Sequence, residues 1–185
     1  LMKIKNWAYQ WKMSSYPEPS KQTQEVIFSH KLIQLPHQLL NFNDYQVNQV
    51  TNQKHLGLIL DRKLNFDNHF QILSKKINTS IGLLRKLRQY LPRQSLVTIY
   101  KFFIRPHLDY GDVIYDKAFN DSFHQKFEKF QYNASLAITG AIKGSSKEKI
   151  YLELGLETLQ SRRWMRKLCL LYKILKSQSP LFYSI

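Results

Sequence analysis

Phe70, Leu73, Ile77, Ile81, Leu84, Leu87 and Leu91 follow one another at steps of three and four. That spacing predicts a long amphipathic helix over 66–90 with one apolar face. A stripe of that length must be buried against other elements, so the chain has to pack as a helical module. The opposite face carries Lys75, Lys76, Arg85, Lys86 and Arg88. Leu91-Pro92-Arg93 closes the helix, and a proline suits the first turn of the next one. That second helix is expected to bury Leu96, Ile99, Tyr100, Phe103 and Ile104 and to end near Arg105-Pro106.

The residues before this module have a different pattern. Lys54 to Asp61 is an apolar run of strand length, broken by Gly57 and closed by the charged pair Asp61-Arg62. A glycine inside a strand lets another backbone approach closely; packing alone is the plainer account of it. Glu25 to Ser29 has the β-branched and aromatic composition of a strand, and Asn43-Asp44 can turn a hairpin between 39–42 and 45–47. Leu1, Ile4, Trp7, Ala8 and Trp11 share a helical face that Pro17 and Pro19 interrupt.

Beyond the module, Asn120-Asp121-Ser122 offers a cap for a helix to Thr139, and Ser145 or Ser146 caps a short helix ending at Gly155. A last helix over 157–176 is expected to turn Leu159, Trp164, Leu168, Leu171, Tyr172 and Leu175 inward. It would leave Arg162, Arg163, Arg166 and Lys167 at its edges. The fold class is therefore α+β, mainly α, with a short antiparallel sheet followed by helices.

Charge narrows the partners. Lys and Arg number 28 against 13 Asp and Glu, a net charge of +15. Such an excess favours a polyanion, nucleic acid before an anionic membrane surface. The longest uncharged run, Phe130 to Ile142, is too short to cross a bilayer, and no membrane is expected among the partners because the amphipathic helices are expected to pack on one another. The single cysteine, Cys169, excludes an internal disulfide and a multi-cysteine zinc site, suits a reducing intracellular setting, and reads as a small buried hydrophobe. The chain opens within a helical pattern, which suggests a piece of a longer reading frame.

Several motifs in order carry a resemblance. Trp7-Ala8-Tyr9-Gln10-Trp11-Lys12-Met13, then Pro19-Ser20-Lys21 and Glu25-Val26-Ile27-Phe28-Ser29, resembles the segment just after the catalytic hairpin of non-LTR retrotransposon reverse transcriptases. Lys54-His55-Leu56-Gly57 is similar to their primer grip. Ile104 to Gly111 and Arg162 to Cys169 resemble the thumb and the helices beyond it. The likeness is nearest to jockey-like elements and runs over almost the whole chain. It implies a palm remnant at 1–65, a helical thumb at 66–118 and a helical extension at 119–185.

On that resemblance Lys21 falls where the family has a lysine proposed to protonate the leaving pyrophosphate, and His55, Leu56 and Gly57 would hold the primer's 3′ end. Lys75, Lys76, Arg85, Lys86, Arg88 and Arg93 would neutralise phosphates of an RNA–DNA or RNA template–primer duplex without reading sequence. The family also holds Mg²⁺ on paired aspartates. No adjacent aspartate pair occurs in this sequence, so no metal is assigned here and the chain is not expected to polymerise by itself. An intracellular setting, the nucleus included, is implied.

One other class stays open, a non-catalytic helical interaction module or retroelement remnant with no nucleic-acid role; a basic amphipathic protein at a membrane surface is disfavoured, because the helices are expected to pack on one another. Asp109, Asp112 and Asp116 have a spacing that could gather carboxylates around Mg²⁺, but Gly111 interrupts them, and ion pairs to Arg105 or Lys117 are the expected use. None of the six histidines pairs at the spacing of a zinc helix.

Overall fold

The computed structural model describes residues 6–7, 9–11, 24–29, 40–42, 45–115 and 121–176. The chain packs as two units, Leu1–His69 and Phe70–Ile185. The fold is α+β and mainly helical.

The first unit is built from short strand pairs. β1 (Gln24–Glu25) runs parallel to β4 (Asn48–Gln49), while β2 (Asn41–Phe42) and β3 (Tyr45–Gln46) form the hairpin expected around Asn43-Asp44. β5 (Asn52–His55) and β6 (Leu58–Asp61) pair antiparallel, with His55 opposite Leu58. The parallel β1–β4 pair departs from the all-antiparallel expectation. Only the first residue of the predicted 25–29 strand is ladder-paired; beyond it, Ser29 N–H donates to the Arg62 carbonyl at 3.0 Å.

The loop after β6 is held by one carboxylate. Asp61 accepts backbone N–H bonds from Lys63 at 3.0 Å, Asn65 at 3.1 Å and Phe66 at 2.6 Å. Leu64 and Phe66 sit at φ 56° and 59°, a left-handed conformation that costs a non-glycine residue about 1–2 kcal/mol. The three bonds to Asp61 and the burial of Phe66 at 3% exposure offset that strain.

The first helix, α1 (Asp67–Leu87), confirms the predicted stripe: Leu73, Ile77, Ile81 and Leu84 are buried. The division between the units falls in its first turn. In the helical unit, Phe70 packs edge-on against Phe123 and Phe127, with ring centroids 4.9 and 5.3 Å away. Both partners belong to α5 (Asp121–Thr139). Helices from both 66–118 and 119–185 thus share one core.

α2 (Arg93–Ile99) runs without a break through a π-helical turn, Tyr100–Ile104, into α3 (Arg105–Asp109). The helix was expected to end near Pro106. It continues because the wider turn comes just before the proline, whose missing N–H and ring would disrupt an ordinary α-turn there. Tyr100, Ile104 and Leu108 stay inward while Phe103, expected inside, is 69% exposed.

α4 (Asp112–Tyr115) follows Gly111. After α5, Ser146 Oγ accepts from Lys149 N–H at 3.3 Å to cap α6 (Lys147–Leu154), and Gly155 ends it at φ 60°. Thr158 caps α7 (Leu159–Leu175) through Ser161 N–H. A buried polar link ties these elements together. Tyr100 Oη donates to Gln131 Oε1 at 2.6 Å, and Gln131 Nε2 donates to the Glu157 carbonyl at 2.7 Å.

α7 keeps Leu159 inward as expected, with Arg162, Arg166 and Lys167 at its edges, but departs from the expectation along the rest of its length. Leu159 and Arg163 are buried, whereas Trp164, Leu168, Leu171, Tyr172 and Leu175 are exposed. Cys169, expected to be buried, is exposed as well. The reason is electrostatic: the basic side of the helix meets acidic and aromatic partners far away in sequence, described next. No helix among the described residues is long and apolar enough to cross a membrane.

Candidate nucleic-acid interface

Lys75, Lys76, Arg85 and Lys86 all lie on the exposed side of α1. At 100° per residue Lys75 and Lys86 share one azimuth, opposite the buried Leu84, and stand about 16 Å apart along the axis at 1.5 Å per residue. Lys76 and Arg85 flank them. The hydroxyls of Thr79 and Ser80 fold back onto the carbonyls of Lys75 and Lys76, each at 3.0 Å. The acid of α1 is Asp67, in its first turn. Among the described residues none of these four cations makes an ion pair.

The other two basic candidates are engaged. Arg88 lies with its guanidinium against Gly140, in the place a side chain there would occupy. Gly140 follows the last turn of α5, where a positive charge meets the negative end of the helix dipole. Arg93 forms an ion pair with Glu153, both side chains about half exposed. Such a surface pair contributes little to stability.

The hairpin β5–β6 places the primer-grip candidates together at its tip. Leu56 and Gly57 are the two turn residues, at φ 46° and 85°. Gly57 therefore does not interrupt a strand, as its apolar flanks suggest; it occupies the second position of a two-residue turn in which both central residues need positive φ. Asn or Asp commonly takes the first position. Here it is Leu56, strained and 77% exposed. His55 and Gly57 are exposed beside it. Lys21 lies outside the described residues.

Asp109 and Asp112 form ion pairs with arginines of α7, not with Arg105; Lys117, the other expected partner, lies outside the described residues. Arg162 Nη2 donates to Asp109 Oδ2 at 2.6 Å, and Arg166 Nη2 donates to Asp109 Oδ1 at 2.9 Å and to Asp112. Burial alone would raise the Asp109 pKa, yet the bonds from Arg166 and Arg162 outweigh it and hold the carboxyl below its usual value. At Asp112 burial wins over Arg166 and holds the pKa above its usual value. Arg166 rises above its ordinary value: burial opposes this, and the two aspartates prevail. Asp116 lies outside the described residues, and no group of three or more His, Cys, Asp or Glu positioned for a metal occurs among the described ones.

Sequence pattern missed this cluster because its partners are 53 to 57 residues apart. It missed Arg163 too, which is 5% exposed, bonds His124 Nδ1 at 3.0 Å and lies 5.1 Å from the centre of the Phe127 ring. His107 is half-buried, which lowers its pKa, and Lys76 lowers it further.

No family model, no curated protein and no solved structure matches this chain.

Proposed function

We propose that this chain engages a nucleic-acid duplex through sequence-independent phosphate contacts, as the C-terminal part of a jockey-like reverse transcriptase would engage its template–primer. The observation that carries this reading is the exposed set Lys75, Lys76, Arg85 and Lys86, with Lys75 and Lys86 aligned, no ion pair among the described residues and no acid on α1 beyond Asp67. Such a set suits a phosphate backbone, which needs no base readout. The exposed tip His55-Leu56-Gly57 is the second contact, at the primer end, and Lys21 keeps its role beside the pyrophosphate only in a complete parent enzyme. Mg²⁺ belongs to that parent. The 185-residue chain, without an adjacent aspartate pair in its sequence, binds and does not extend. The test is titration of the chain with an RNA–DNA hybrid over a range of salt: affinity that falls steeply supports duplex binding, and salt-independent affinity rejects it.

A second reading, a helical interaction module without a nucleic-acid role, rests on α7. Trp164, Leu168, Leu171 and Leu175 follow a four-three-four spacing and are exposed, the pattern of a helix that packs on another. Salt-independent protein association through that face, with no hybrid binding, favours this reading.

A further inference from the structure

A groove of about 720 Å³ lies where α5, the start of α6 and the first turns of α7 meet. Among the described lining residues Lys147, Arg163 and Lys167 are cationic and Glu128 is the one carboxylate. That carboxylate is already engaged: its Oε2 accepts from Leu159 N–H at 3.0 Å, at the first residue of α7. An anion entering the groove is therefore repelled from the helix end and drawn toward the lysines. Arg163 is fixed by His124 and by the Phe127 face, so its charge needs little reorganisation to act. Trp164, the next residue, lines the same groove and is 64% exposed. An exposed indole beside the fixed cation Arg163 offers a flat face to a planar ring. The Gln160 amide adds a donor and an acceptor for ring-edge groups.

We propose that this groove binds a nucleoside phosphate, with the phosphate at Lys147 and Lys167, the base stacked on Trp164, and Arg163 supplying positive potential from the buried side. The volume falls within the range usual for small-ligand pockets, about 300–1,000 Å³. A base stacked inside a duplex cannot lie on Trp164, so the site goes beyond the duplex reading and stands on α5–α7 rather than α1. Two sources carry the same chemistry: a free nucleotide, and an unpaired nucleotide of a single strand.

The test follows the indole N–H resonance of Trp164 in the full 185-residue chain, assigned with Trp164→Phe, while AMP, adenosine, or a short oligothymidylate is added. AMP is expected to shift it saturably, and adenosine, lacking the phosphate, to bind more weakly. Trp164→Ala and Lys147→Gln should each lower AMP affinity roughly tenfold, in line with one stacking or one charged contact. Calorimetry reads the affinity of the variant without the indole, and circular dichroism checks that both variants keep their helix content. Oligothymidylate that shifts the same resonance identifies the unpaired strand as a source; AMP alone shifting it identifies the free nucleotide. No saturable shift with either, adenosine binding as tightly as AMP, or full affinity in Trp164→Ala overturns the proposal. Gln substitutions of Lys75 and Lys86 should leave this titration unchanged, so failure of the duplex reading would be seen separately.

Discussion

The guanidinium of Arg88 lies over Gly140, in the place where any side chain at 140 would have to go. Gly140 sits at φ 75°, so an alanine there is strained even if Arg88 moves away. Gly140→Ala should cost about 1–2 kcal/mol. Arg88→Ala should cost less in the Gly140→Ala background than in the parent, because the contact is already lost there. Denaturant unfolding of the four proteins of that cycle measures the coupling; additive costs would show that the two residues do not interact.

That contact also separates Arg88 from the other basic residues of α1. With Lys75, Lys76, Arg85 and Lys86 each neutralising one phosphate, log affinity for an RNA–DNA hybrid should fall against log salt with a slope of roughly −3 to −4. Changing these four to glutamine should flatten the slope and keep the helix content. Arg88→Gln should lower stability and leave the slope near the parent's. A slope unaltered by the fourfold change would remove the phosphate role from this face.

The paired aspartates give opposite pH responses. Asp109 is held below its usual pKa, so the stability it contributes is present above the unfolded-state value, about 3.9, and is lost as pH falls through the lower folded value. Asp112 is held above its usual pKa; its contribution is present below the unfolded value and lost as pH rises through the raised folded one. At neutral pH Asp109→Asn should therefore cost more than Asp112→Asn, about 2–3 kcal/mol against a smaller loss. Thermal melts at neutral and acid pH check the order, and the gap should narrow on the acid side. Equal costs at neutral pH would contradict the assignment.

Tyr100 and Gln131 are both fully buried. Tyr100→Phe leaves the Gln131 carbonyl oxygen without the tyrosine's hydroxyl and should cost about 1–3 kcal/mol. A midpoint unchanged within error in urea unfolding would mean that water or another donor replaces it.

What was legible in the sequence was local periodicity. The α1 stripe, the Ser146 cap and the Gly155 stop all depend on residues within a few positions of one another. α7 was misread because periodicity reports two chemically distinct faces but not which face is inward. Leu168, Leu171 and Leu175 look like core, yet Asp109, Asp112, His124 and Phe127 draw Arg162, Arg163 and Arg166 inward, and no local pattern links those residues. Gly57 failed for another reason. Its neighbours Leu56 and Leu58 are apolar, so the run looks like one strand, and the turn shows only in the positive φ of Leu56 and Gly57.

That turn gives a prediction that separates fold from function. Leu56 holds a left-handed conformation with its side chain 77% exposed, so neither its backbone preference nor its burial accounts for leucine there. Asparagine tolerates left-handed φ far better, and Asn-Gly is the favoured pair for such turns. Leu56→Asn should therefore stabilise the hairpin by about 0.5–1 kcal/mol. If the exposed leucine packs on a primer strand, the same change should weaken hybrid binding by the chain while its stability rises. Gly57→Val is the less informative substitution, since a β-branched residue at φ 85° distorts the turn whether or not a primer binds. Higher stability with unchanged hybrid affinity in Leu56→Asn would take the hairpin tip out of the interface and leave duplex contact to α1 alone.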